Sequence, residues 1–237
     1  MTDSHPWVSN IEDISEVHYT LARNMAADIL RRVGWALIVV GLLDIGFMVY
    51  CIMNGLSYSS SLNIFAVVAG IFLLRQSMKT ASVVSFFAAF ALTGVTGAAI
   101  LFPLLVPSDL LMTQVRLSPV STISSVLVGI AFLAFAFWVY RSLTSPEVME
   151  ARRVAGVSAK TPVLAFVAGI ALVIVLFSVM AVMTKGSSAE KAILKAKDKT
   201  GPGYKYYVTS MHWSGDSGSA TVTAYNRAEI KEVKVEW

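Results

Sequence analysis

Along this chain the apolar residues gather in long runs and the polar residues collect between them. Val33–Met53, Ala81–Val106, Ser118–Tyr140 and Pro162–Met183 are each mostly apolar. Each reaches the roughly 20 residues that a helix needs to cross a bilayer. A fifth run, Leu56–Leu74, opens on Ser57-Tyr58-Ser59-Ser60-Ser61-Leu62-Asn63 before turning apolar, which suits a short span or a re-entrant segment. Around these runs lie two polar ends, residues 1–32 and 184–237.

Charge separates the two readings of the fifth run. With five crossings and the N-terminus in the cytoplasm, the inner side receives Arg23, Arg31, Arg32, Arg75, Lys79, Arg141, Arg152, Arg153 and Lys160, and the short outer loops receive only Arg116. Basic residues concentrate on the cytoplasmic side of membrane proteins. Dropping the second span would move the Arg141–Lys160 loop outside. Lys185, Lys191, Lys195, Lys197 and Lys199 run the other way, but whole domains translocate largely regardless of charge. Trp35, Trp138 and Tyr140 fall at the inner boundary and Tyr50 and Tyr58 at the outer one, the depth that amphipathic rings favour.

Periodicity describes the ends. Ile11, Ile14, Val17, Leu21 and Met25 recur every three or four residues, predicting a cytoplasmic helix over 9–32 capped by Ser9 or Asn10. Its early acids, Glu12 and Asp13, disfavour anionic lipid, so docking on protein is the simpler use of its stripe. In the tail, Ser187-Ser188-Ala189-Glu190 has capping-box spacing ahead of a helix over about 188–198. Three strand-like runs follow, Tyr204–Trp213, Ser219–Tyr225 and Ile230–Trp237, divided by turn residues. The predicted fold is an all-α polytopic bundle of five transmembrane helices (33–53, 56–74, 81–106, 118–140 and 162–183). It carries a C-terminal extracytoplasmic α+β domain, a helix plus a three-stranded antiparallel meander. With no disulfide, that small domain leans on the membrane, the bundle or a partner.

Composition agrees. Hydrophobic residues make up 56% of the 237 and charged residues 14%, against about 25% charged in soluble domains; the mean hydropathy is +0.67. The net charge of +4 would raise nucleic acid as a partner in a soluble protein. Here the cations flank apolar runs and orient the chain in lipid, so no nucleic acid is expected. The polar start, residues 1–32, lacks the apolar core of a cleavable signal, so the first run is expected to remain as an anchor. A bacterial-type inner membrane is the expected location.

Candidate chemistry is sparse. Asp44, within Val40-Gly41-Leu42-Leu43-Asp44-Ile45-Gly46-Phe47, is the single ionisable side chain deep in any run. An acid at that depth costs about 2.5–3.5 kcal/mol on insertion scales, so it is either protonated or held by hydroxyl donors. Counting from the inner boundary puts Thr93 at matching depth, then Thr96, with Asn63 a further neighbour. The functional reading of this polar set is a proton or cation site. The structural reading is an interhelical hydrogen bond, favoured because proton relays string several ionisable groups together.

Small residues, Gly94 and Gly97, Ser125 and Gly129, Ala165 and Gly169, mark expected helix contacts. The stripe Lys191, Lys195 and Lys199 is a solvated face or a contact for lipid headgroups or an acidic partner. Lone Cys51 makes neither a disulfide nor a CxxC site. His212 has no partners that would make a metal site, no span contains histidine for haem, and no hydrolase or nucleotide-binding motif occurs. No cofactor is expected. The sequence therefore reads as a non-enzymatic accessory, scaffold or assembly protein, its tail and N-terminal helix recruiting a protein partner. The alternative is a proton- or cation-coupled carrier of small solutes using Asp44.

Overall fold

A computed structural model of the chain describes residues 6–55, 62–214 and 217–237. The polar opening of the second run, residues 57–61, lies outside them, and so do the side chains of residues 6–22, which carry most of the predicted N-terminal stripe. Among the described residues eight helices precede three strands: α1 (Pro6–Met53), α2 (Leu62–Leu74), α3 (Met78–Leu105), α4 (Ser108–Leu117), α5 (Pro119–Leu143), α6 (Pro146–Val154), α7 (Val163–Lys185), α8 (Ser187–Thr200), β1 (Lys205–Ser214), β2 (Ser217–Tyr225) and β3 (Ile230–Glu236).

Among the described residues four segments, within α1, α3, α5 and α7, are long and apolar enough to cross a membrane. Their apolar side chains stay exposed along most of their length: Leu43, Phe87, Val120, Leu164 and Val182 are examples. In water such surface would drive aggregation; in lipid it is solvated, so these helices point to a membrane-embedded chain. The apolar part of α2, Ile64–Leu74, is shorter than the other four.

The helices divide into two compact units, Met1–Phe90 with Phe135–Ala165 and Ala91–Ala134 with Phe166–Trp237. In the first, α1 and α2 pair antiparallel. A Cβ on Gly70 would lie 2.6 Å from the Gly34 carbonyl oxygen, and one on Gly34 would lie 2.9 Å from that of Gly70. Only two glycines let the backbones approach this closely. Beside this crossing, Leu30 and Val33 of α1, Leu73 of α2, Ala81 of α3, Leu143 of α5 and Val148 of α6 close one buried cluster.

The second unit holds the tail. One face of the sheet, ordered β1-β2-β3 and antiparallel throughout, packs on α8. Ala189, Ala192 and Ala196 meet Val208, Met211, Val222, Val233 and Val235. A bulge between Val208 and Ser210 shifts the register, so Tyr206 and Val208 before it and Met211 after it all turn toward α8. The predicted meander is present.

Several boundaries differ from expectation. The helix expected over 9–32 and the first span are one continuous helix, so Ser9 and Asn10 stand inside it rather than at a cap. Nothing between them breaks a helix: no proline intervenes and Arg31-Arg32 are good helix formers. The capping-box reading of Ser187 fails, because Gly186 is the N-cap and no side chain caps it. Two short helices, α4 and α6, lie in the loops between the expected spans. Both carried signals: an acid in the first turn (Asp109, Glu147) and a base in the last (Arg116, Arg152, Arg153), with Pro146 at the start of α6.

Candidate functional site

Asp44 is half-buried midway along the apolar part of α1. Thr93 and Thr96 lie on α3 in the second unit, where they line a groove of about 510 Å³ between α3 and α7. Leu92, Ile100, Val173 and Ile174 form much of its wall, and none of its lining residues is ionisable. Gly97 is its tight point, since a Cβ there would sit 3.2 Å from Val173. The side chain of Asn63 falls outside the described ones. The groove by itself offers apolar surface and two hydroxyls, a poor seat for an ion.

The tail lysines find uses within the chain. Lys195 Nζ donates to the Glu236 carbonyl at 2.7 Å and Lys199 Nζ to that of Lys234 at 2.9 Å. Residues 234 and 236 are two apart, so both carbonyls point off the same outer edge of β3. The lysines thus cover an edge that would otherwise template another strand. Lys191 is exposed and makes no bond to any described residue.

Other contacts fasten the domain. Lys231 Nζ donates to Tyr204 Oη and to Glu229 Oε1, each at 2.8 Å, and Tyr204 Oη donates to Glu229 Oε1. Glu229 and Tyr204 push the Lys231 ammonium up to about 12. Lys205 pairs with Asp109 of α4. Their hydrogen bond and charge hold the Asp109 carboxyl below its ordinary range and raise the Lys205 ammonium. His212 is exposed on β1, and no group of three or more potential metal-ligating side chains occurs among the described residues.

Arg152 was expected among the orienting cations, yet it is 1% exposed, a burial the charge count missed. One Nη donates to the Ala81 carbonyl at 2.6 Å and to Ser85 Oγ at 3.1 Å, and the other lies 3.8 Å from Met149 Sδ. Its Nε has no partner among the described residues, and no carboxylate lies within ion-pair distance. Burial pushes the guanidinium down to about 10; the cation persists at neutral pH, held by neutral acceptors alone. The missed signal was spacing: Arg152 stands four residues after buried Val148, on the same helical face.

No family model, curated protein or solved structure matches the chain.

Proposed function

We propose that this is an integral membrane accessory or assembly-type protein without enzymatic activity, whose C-terminal domain and N-terminal helix recruit protein partners. One observation carries the reading. The tail closes a core of its own against α8 immediately after α7, and leaves part of the other sheet face polar and open, with His212, Glu232, Lys234 and Glu236 exposed and Thr223 and Tyr225 buried beside them. A polar, half-open module on a lipid-solvated stem is built for contact rather than for enclosing a substrate.

The proposed topology is five crossings of a bacterial-type inner membrane, N-terminus cytoplasmic and C-terminus extracytoplasmic. The Gly34–Gly70 approach supports it: Met53 lies 19 residues beyond Gly34, about 28 Å along a helix, and by Gly70 the chain has returned to the level of Gly34. The Asp109–Lys205 pair supports the 107–117 loop and the tail sharing a side.

Purification of the full chain in mild detergent, with a chain truncated after Met183 as comparison, tests the recruiting role. A protein that co-purifies with the former and is lost from the latter is the expected result; a clean monomer in both cases removes the reading. The carrier alternative rests on Asp44: Asp44→Asn should abolish solute uptake while leaving expression intact.

A further inference from the structure

In the tail, Lys195, Lys199, Lys205 and Lys231 bind acceptors of the chain itself, while Lys191 and Lys197 are exposed and bond to no described residue. In the first unit, Arg31, Arg32, Arg75, Lys79, Arg141 and Arg153 are all exposed, and none makes a hydrogen bond or ion pair with a described residue. Four helices and the turn between α2 and α3 supply these six cations, and the buried cluster brings them to one level. Arg31 and Arg32 lie between Leu30 and Val33, Arg75 follows Leu73 by two residues, Lys79 precedes Ala81 by two, and Arg141 precedes Leu143 by two. Arg153 adjoins Arg152, whose bond to the Ala81 carbonyl fastens α6 beside the first turns of α3. The acids on the same stretches, Asp28, Glu147 and Glu150, pair with none of them.

We propose that this girdle, where α2 turns into α3 and α5 into α6, binds the phosphate groups of anionic phospholipids. Guanidinium forks suit phosphate oxygens better than point-charge ammonium does, and arginine supplies five of the six cations. Exposed apolar side chains stand on the same helices a few residues away: Trp35 on α1, Phe72 on α2, Val83 on α3 and Trp138 on α5. A ligand that satisfies both surfaces carries a phosphate head and acyl tails, which favours lipid over an acidic protein. Basic clusters at membrane boundaries recruit such headgroups.

The test uses the full chain, purified and delipidated in a zwitterionic detergent. Phosphatidylglycerol, cardiolipin (two phosphates), phosphatidylcholine and inorganic phosphate are titrated separately, with native mass spectrometry and thermal midpoint as readouts. The two anionic lipids should bind and raise the midpoint, cardiolipin most, while phosphatidylcholine and inorganic phosphate should not. Combining Arg31→Gln, Arg32→Gln, Arg75→Gln and Lys79→Gln should weaken phosphatidylglycerol binding by about 600-fold, since each surface cation contributes roughly a factor of five. Arg31→Lys with Arg32→Lys and Arg75→Lys should retain it within about tenfold, which keeps the test valid if the glutamine set fails to fold. Lys191→Gln with Lys197→Gln in the tail should change nothing. Equal binding of phosphatidylcholine overturns the proposal, as does an unchanged glutamine variant or an inorganic phosphate response matching that of the lipids. Enrichment of an acidic protein in place of anionic lipid does the same. Partner capture by the tail is read separately, so failure here leaves the accessory role standing.

Discussion

A methyl group at Gly70 would meet the Gly34 carbonyl oxygen at 2.6 Å and Ile38 Cγ1 at 2.7 Å, whereas one at Gly94 or Gly129 would meet nothing within 4 Å. Gly70→Ala should therefore cost about 1–3 kcal/mol by overpacking, while Gly94→Ala should be neutral or slightly stabilising; thermal unfolding in detergent separates them. Small-residue spacing pointed to Gly94 and Gly129 and passed over Gly34 and Gly70. The tight pair is spread over two helices, one glycine on each, and no within-helix spacing reveals it. Helix ends tell a similar story. After α2, Gln76 takes φ 57°, with Ser77 N–H donating to Phe72 O at 3.1 Å; after α6, Gly156 takes φ 67°, with Val157 N–H donating to Arg152 O at 2.9 Å. The same closing motif uses glycine once and a strained glutamine once. Gln76→Gly should stabilise by about 1 kcal/mol and Gly156→Ala should destabilise by a similar amount, measured in the same melts.

Among the elements, α6 and the tail sheet respond to change in opposite ways. Removing the buried Arg152 guanidinium leaves neither of its oxygen acceptors without a bond, because Ser85 Oγ still donates to Ser82 O at 2.9 Å and the Ala81 carbonyl keeps its place in the hydrogen-bond ladder of α3. Arg152→Met should thus stay within about 1 kcal/mol of the parent or exceed it, while Arg152→Glu, which buries an unpaired carboxylate, should cost about 3–5 kcal/mol. In the tail, Lys195→Gln with Lys199→Gln uncovers the β3 edge; self-association by light scattering should rise while the fold persists. The Asp109–Lys205 tie has a defined pH window. The lowered carboxyl contributes only above its own pKa and the raised ammonium only below its own. The difference in thermal midpoint between parent and Asp109→Asn should then close as pH falls below about 4, close again above about 10.5, and shrink in salt. The strands, the tail helix and the four long apolar helices were legible because their periods and lengths are local properties. The merger of the N-terminal helix with the first span, and the burial of Arg152, depend on what packs against those residues, and a run of letters does not carry that.

For the whole molecule, the prediction concerns sidedness. In a Cys51→Ser background, Arg227→Cys should react with a membrane-impermeant maleimide added to intact cells, and Ser158→Cys should react only after lysis; the reverse pattern would reverse the proposed topology. The orienting cations were visible in the sequence, but not that six of them would be left without partners among the described residues, on four helices and a turn around one buried cluster. One further feature bears on how a partner could act. α1 is unbroken for 48 residues, about 72 Å at 1.5 Å per residue, more than twice the roughly 30 Å of hydrocarbon. From Pro6 to its crossing with α2 at Gly34 it is a lever arm of about 42 Å. A client gripping its tip gains leverage: a ten-degree swing moves that tip by about 7 Å while the fulcrum at the two glycines barely shifts. Torque applied in the aqueous phase would so arrive inside the bilayer as a small, stiff rotation.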